Sequence, residues 1–434
     1  MAMKSKGIVA ATGIALVAAA LSFGSLLAQQ APTQVAKPTA EIEIVAVTAK
    51  ATDPNVLQGT LDDGKTKVQF GTTGLDNVSI GVPVTLQGVA TDPKLAISKY
   101  AWILTAPSAS QAKLSAADSA VVKFTPDVSG IYKADLVLTN EAGDSPMASV
   151  QIHAGEYIGT GAGNCFQCHP QKTQEWSQTN HASMFTREVN LGDSHYSETC
   201  IRCHETGYAP GVKNGGFADV QAWTGWKFPS ADEITAGKDQ IWQAVPEALQ
   251  NMSNIQCEAC HGPAKDHVTK GASMATSLDN DVCDQCHDTS AKHIKGTEIS
   301  YAKHSDEESQ AFTYPVGPSR QDCVRCHSGA GYASFIKAPT EKASWDNSMQ
   351  TVGCSTCHDP HSDANKWQLR ITGVPVESVG ITKDFGLSAT CVECHNTRTT
   401  AADAPKGSFP HYSAAGEMLS DMGGVTYGLS LIHI

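Results

Sequence analysis

The chain has 434 residues, a formal net charge of −13 and a charged fraction of 17 %. That length suits two to four domains, and the acidity argues against nucleic acid or an anionic membrane surface as a partner. With Gly 37 and Pro 20, the composition fits a loop-rich soluble protein and excludes a coiled coil.

At the N-terminus, Lys4 and Lys6 precede a charge-free apolar run from Gly7 to Ala28, followed by polar QQAPTQ. This is the layout of a secretory signal peptide (1–28), with cleavage expected after Ala28. The run is also long enough to span a bilayer as an anchor, but its Ala/Gly content and Leu-Leu-Ala exit favour cleavage. No other segment is apolar enough to cross a membrane. An exported protein, periplasmic or extracellular and without an anchor after cleavage, is expected.

Residues 29–63 read as a linker and lead-in, in which 41–63 could add a strand. Through residue 154 the texture is β: VPVTLQGVA, KYAWILTA, AVVKFTP, YKADLVLTN and ASVQIHA are short Val/Thr/aromatic runs. Turn residues separate them at roughly ten-residue intervals, the spacing of an all-β sandwich. Trp102 falls mid-strand, where a core tryptophan is expected, and Tyr132 stands where a tyrosine corner would form. On these residues, 64–154 resembles an immunoglobulin-like or PKD-like domain. The segment lacks cysteine, so burial alone would hold its sheets.

After residue 155 helix signals become short and scattered, and the cysteines begin. All 14 fall into seven C-x-x-C-H units, numbered here as sites 1 to 7. They are Cys165, Cys168, His169; Cys200, Cys203, His204; Cys257, Cys260, His261; Cys283, Cys286, His287; Cys323, Cys326, His327; Cys354, Cys357, His358; and Cys391, Cys394, His395. In such a unit two thiols attach one haem covalently and the adjacent histidine ligates its iron. A zinc site needs four ligands drawn from paired C-x-x-C units, which leaves seven following histidines without a reason. A thioredoxin-like dithiol needs one motif on a βαβ unit. Seven haem c groups are therefore expected, and they would supply the apolar volume that the loop-rich sequence lacks.

Nine further histidines remain. His181, His195, His267, His293, His304, His361 and His411 are the candidates for the second axial position, while His153 ends a strand of the β region. His267 and His293 each lie six residues beyond a haem histidine. Six residues reach at most roughly 20 Å, and Gly262-Pro263 turns the chain, so His267 is expected to serve a neighbouring haem. Seven candidates for seven irons predict bis-histidine, low-spin, low-potential sites. Met418 and Met422 are the nearest alternatives and would raise the potential. The acidic DNDVCD (279–284) could bind Ca²⁺ but reads better as a solvated face.

YIGTGAGNCFQCHPQKTQEWSQTNHASMF, CEACHGPAKDHV and VGCSTCHDPH resemble the c-554-type and doubled-CxxCH multihaem cytochromes of periplasm and cell surface. The resemblance covers about 157–428. It implies haem attachment at the cysteine pairs, and distal ligation by His181, His195, His267, His361 and His411. Such proteins act as relays, as polymeric extracellular haem chains, or as oxidoreductases of nitrogen or sulfur compounds. The expected protein is thus multidomain, a β-sandwich followed by a sparsely helical multihaem domain (155–428). Electron transfer rather than catalysis is its expected role. Redox proteins or extracellular acceptors are the expected partners, with self-assembly a further expectation. A multihaem oxidoreductase with one open iron is the alternative. LSLIHI (429–434) is what a sequencing-library transposon end encodes, so it is expected to be foreign and His433 is set aside. The natural protein is then expected to continue, with room for more haems.

Overall fold

The computed structural model describes residues 35–420 except 62, 194, 291–292, 315–316, 318–320, 341–349, 376–379 and 399–414. The signal peptide, most of the linker, His411, Met422 and residues 429–434 lie outside the described residues.

The first part is a β-sandwich. One sheet has the order β1–β5–β7, from Ala40–Val45, Val84–Ala90 and Val121–Phe124. The other has the order β4–β10–β8–β6, from Asn77–Ser79, Ala148–Gly155, Gly130–Asn140 and Lys99–Thr105, with the short β9 (Gly143–Asp144) on β8. Pairing is antiparallel except for β4 with β10. The period-2 pattern decides what lies inside: Tyr132, Ala134, Leu136 and Leu138 alternate along β8 and meet Val122 and Phe124 of β7 in one core. Trp102 is buried there and donates its indole N–H to the Ser119 carbonyl at 2.9 Å.

The tyrosine corner forms. Tyr132 is fully buried, its hydroxyl donating to the Val128 carbonyl at 3.0 Å and accepting from the Asp127 N–H at 3.2 Å. The boundary differs from the sequence expectation of residue 64. β1 pairs along its whole length with β5, Ile44 opposite Leu86, so the sandwich starts at Ala40. Its apolar face is only half-buried, and that weak alternation is why it read as lead-in.

A second core carries the rest. The hairpin of β2 (Leu57–Thr60) and β3 (Lys67–Phe70) leaves the sandwich. It packs Leu57, Val68 and Phe70 against Phe185, Ile201, Phe217 and Leu249. Residues 47–70 thus belong to the core of the cysteine-bearing part. That part consists of short helices and loops, as expected. Among the described residues no helix is long and apolar enough to cross a membrane.

The two parts are sewn together along β4 and β10. Asn77 donates to the carbonyls of His261 at 2.9 Å and Pro263 at 3.1 Å. His153, opposite Asn77 in the β10–β4 ladder, places its ring nitrogens 3.2 Å from Asn77 Oδ1 and 3.3 Å from Asp266 Oδ2. His153 is therefore half-buried in the seam, not a free surface residue.

Candidate functional site

Each cysteine unit sits in a helical turn, and the spacing explains why. Positions i, i+3 and i+4 share one helix face, so two thiols and the following imidazole point the same way. His169, His358 and His395 close such turns on the carbonyls of Cys165, Cys354 and Cys391 at 2.8, 2.9 and 2.9 Å. The helices Cys257–His261, Asp281–His287 and Gln321–His327 hold sites 3, 4 and 5. None of the 14 cysteines is paired in a disulfide, which leaves all of them for attachment.

Sites 1, 2, 3, 4 and 6 line one continuous cavity of about 2290 Å³, together with His181, His195, His267, His293, His304 and His361. A single small ligand occupies roughly 300–1,000 Å³, so this space suits several large groups side by side.

The imidazoles converge in pairs. His169 and His267 have ring centres 6.4 Å apart with planes at 19°, and His261 and His361 are 6.0 Å apart at 13°. His181 faces His287 at 6.2 Å and His304 faces His395 at 6.0 Å, both near perpendicular. A ligating imidazole nitrogen lies about 2 Å from its metal with the ring centre roughly 1.1 Å behind it, so two rings across one metal stand about 6 Å apart. The pairs have that separation. Among the described residues no cluster of three or more His, Cys, Asp or Glu side chains could hold a metal ion.

The protonation state also fits. Carbonyl oxygens only accept, so the Nδ1 atoms facing them must carry the proton and leave Nε2 bare. This holds for His261 on Ala275 at 2.8 Å, His267 on Ala272 at 2.6 Å, His327 on Ala311 at 2.7 Å and His358 on Trp367 at 2.8 Å. Burial pushes His181 and His204 down to about 4, and burial also lowers His261, His287, His304 and His327. Neutral imidazole is the ligating form. Donors, spacing and protonation therefore suit haem c.

The other candidates are placed differently. His293 lines the cavity near His204 and His287. His195 also lines it, but its side chain is 94 % exposed and its Nδ1 lies 2.8 Å from Asp193 Oδ1. Met418 is exposed. The acidic run 279–284 is partly buried, and burial lifts Asp284 to about 7. Asp279 and Asp281 of the run are exposed, as a solvated face would have them.

Two side chains beside the cysteine units were not foreseen. Tyr196 stacks on His204 at 5.4 Å and its hydroxyl is 3.1 Å from His204 Nδ1. Glu258, inside CEACH, is buried and accepts the N–H groups of Gly159 and Ala264, both at 2.6 Å. Burial raises its pKa despite those bonds. HYSETC does place Tyr196 near a haem unit, but nothing in its spacing distinguishes a ring that stacks on His204.

Seven thiol-thiol-imidazole turns, five of them lining one shared cavity, together with a β-sandwich mark the chain as a multihaem c-type cytochrome. The profile of the family described as cytochrome c554 and c-prime matches residues 164–222 and 282–359. The chain is 25 % identical over 151 residues to the multiheme cytochrome MtrA of Shewanella baltica (strain OS185), a match covering 30 % of this chain and 44 % of that protein. The chain thus spans less than half the length of this curated relative. A solution structure of the PKD domain from the KIAA 1837 protein is 25 % identical, with a TM-score of 0.16, and covers 18 % of this chain and 76 % of that one.

Proposed function

We propose that this protein is an exported electron-transfer cytochrome. Seven covalent haems would carry electrons between periplasm or cell surface and an external donor or acceptor. The observation that carries the reading is the set of four imidazole pairs 6.0–6.4 Å apart. Each joins a CxxCH histidine to a histidine from another part of the chain. Haem c, when bound, supplies a one-electron iron couple.

The chain's own work is to hold and orient. His267, His181, His361 and His304 are assigned as distal ligands of sites 1, 4, 3 and 7. His293 is assigned to site 2 from its nearness to His204. With haem bound, two imidazoles from the chain at each iron would keep substrate off it and would favour a low potential. Export follows from the signal-like N-terminus, and redox proteins or extracellular acceptors are the partners. Self-assembly into a conduit belongs to the same reading.

One observation favours a second reading, an oxidoreductase of small nitrogen or sulfur compounds with one open site. Among the described residues the exposed His195 ring pairs with no other imidazole. The test is the EPR and visible spectrum of the ferric holoprotein with and without nitrite or hydroxylamine. Purely low-spin haem that ignores both compounds is expected. A high-spin signal that either compound shifts would replace the relay with the enzyme.

A further inference from the structure

We propose that the seven sites form a branched array, not a single file, with site 4 as its junction; this rests on the electron-transfer reading above. The thioether edge of a haem lies where its cysteines are, so cysteines of two units in mutual contact bring two haem edges together.

On the helix Asp281–His287 three positions face three different units. The thiol of Cys283 meets that of Cys354 in site 6. The thiol of Cys286 meets that of Cys203 in site 2. Between them Gln285 donates to the Ala259 carbonyl of site 3 at 2.9 Å. Two further bonds reinforce the contact with site 6: Cys354 N–H to Asn280 Oδ1 at 2.7 Å and Ser355 Oγ to the Leu278 carbonyl at 2.5 Å.

The remaining contacts extend the arms. The Cys165 and Cys257 thiols meet, joining site 1 to site 3. Cys357 of site 6 lies near Cys391 and Cys394 of site 7. Cys326 of site 5 reaches the Glu393 carbonyl at 3.7 Å and Cys394 reaches the Arg325 carbonyl at 4.0 Å, joining sites 5 and 7. The order is 1–3–4–6–7–5 with site 2 attached to site 4. Such an array has three ends, sites 1, 2 and 5, so it can gather or divide electrons among three partners.

The test uses the holoprotein. A cryo-electron-microscopy structure is expected to give the site 4 iron three neighbouring irons, those of sites 2, 3 and 6, and the irons of sites 1, 2 and 5 one each. A site 4 iron flanked by only two would overturn the branch. Haem stoichiometry and ferric EPR on the same preparation separate the two claims. Fewer than seven haems, or an open high-spin site, would sink the underlying reading. Seven low-spin haems in single file would sink the branch alone.

His181→Met gives an independent check, because methionine at the second position of site 4 raises the potential of that one site and leaves its CxxCH unit intact. With only site 4 reduced, the EPR signals of three ferric haems are expected to change. A change in two or fewer would refute the junction.

Discussion

At the residue scale the question is which histidine does what, and the answer lies in a proton. The Nδ1–H of His267 is committed to the Ala272 carbonyl at 2.6 Å, which leaves its Nε2 as the atom available for a metal, with the His169 ring centre 6.4 Å from its own. His267→Ala is therefore expected to convert one low-spin haem per chain to high spin at unchanged haem content. EPR and haem quantitation check this, with His153→Ala as a control that leaves the spin state alone. In the sandwich, Tyr132→Phe deletes a buried hydroxyl that serves Val128 and Asp127, an expected loss of about 1–3 kcal/mol in denaturant unfolding. The Ser110 hydroxyl and then the Gln111 N–H hold the Asp127 carboxyl below the usual carboxylate range. Its folded pKa is depressed, so its contribution is complete above the unfolded value of about 3.9 and is lost as pH falls through the folded value. The stability difference between wild type and Asp127→Asn should be constant above about pH 5 and shrink on acidification. The cysteines, their following histidines, Trp102 and Tyr132 were legible because covalent chemistry and strand period act over a few residues. Tyr196 and Glu258 were not, because their partners lie across the fold.

At the element scale, the Gly262-Pro263 turn shows how a local choice places a haem unit. Gly262 has φ +80°, and a Cβ there would stand 2.4 Å from the backbone carbonyl oxygen of Asn77 in β4. Gly262→Ala would add left-handed strain and an overlap with backbone. The expected cost is at least about 1–3 kcal/mol, with a shift in the haem spectrum because the His261 carbonyl is held by the same Asn77. Denaturation followed separately by far-UV circular dichroism and haem absorbance checks both. The sequence called for a turn here and gave no hint that β4 would be pressed against it. The β2–β3 hairpin teaches the same lesson. Its alternation reads as a strand pair, but which core receives Leu57 and Phe70 depends on a partner over a hundred residues away.

At the scale of the whole molecule, the shared cavity sets the terms of stability. The units of sites 1, 2, 3, 4 and 6 line a cavity of about 2290 Å³ instead of closing on one another, and a wall without partner atoms forfeits its packing contacts. The fold around these units thus depends on the groups that fill the space. Chain made without haem attachment should keep exchange-protected amides in β8 and β10, with fast hydrogen exchange across the cysteine units; uniform protection would refute this. The sequence by itself determined the attachment chemistry, the number of CxxCH units and the class of both parts. Thioether formation, axial ligation and side-chain alternation need only residues within a few positions of each other. Only the tertiary structure decided which imidazole faces which, where the sandwich begins and which units touch. Those pairings join residues distant in sequence, such as His181 with His287 and Cys203 with Cys286, and no local pattern encodes them. The spacing argument sent His267 toward a neighbouring haem, but the ring it faces, His169, emerged only once the chain had folded around the shared cavity.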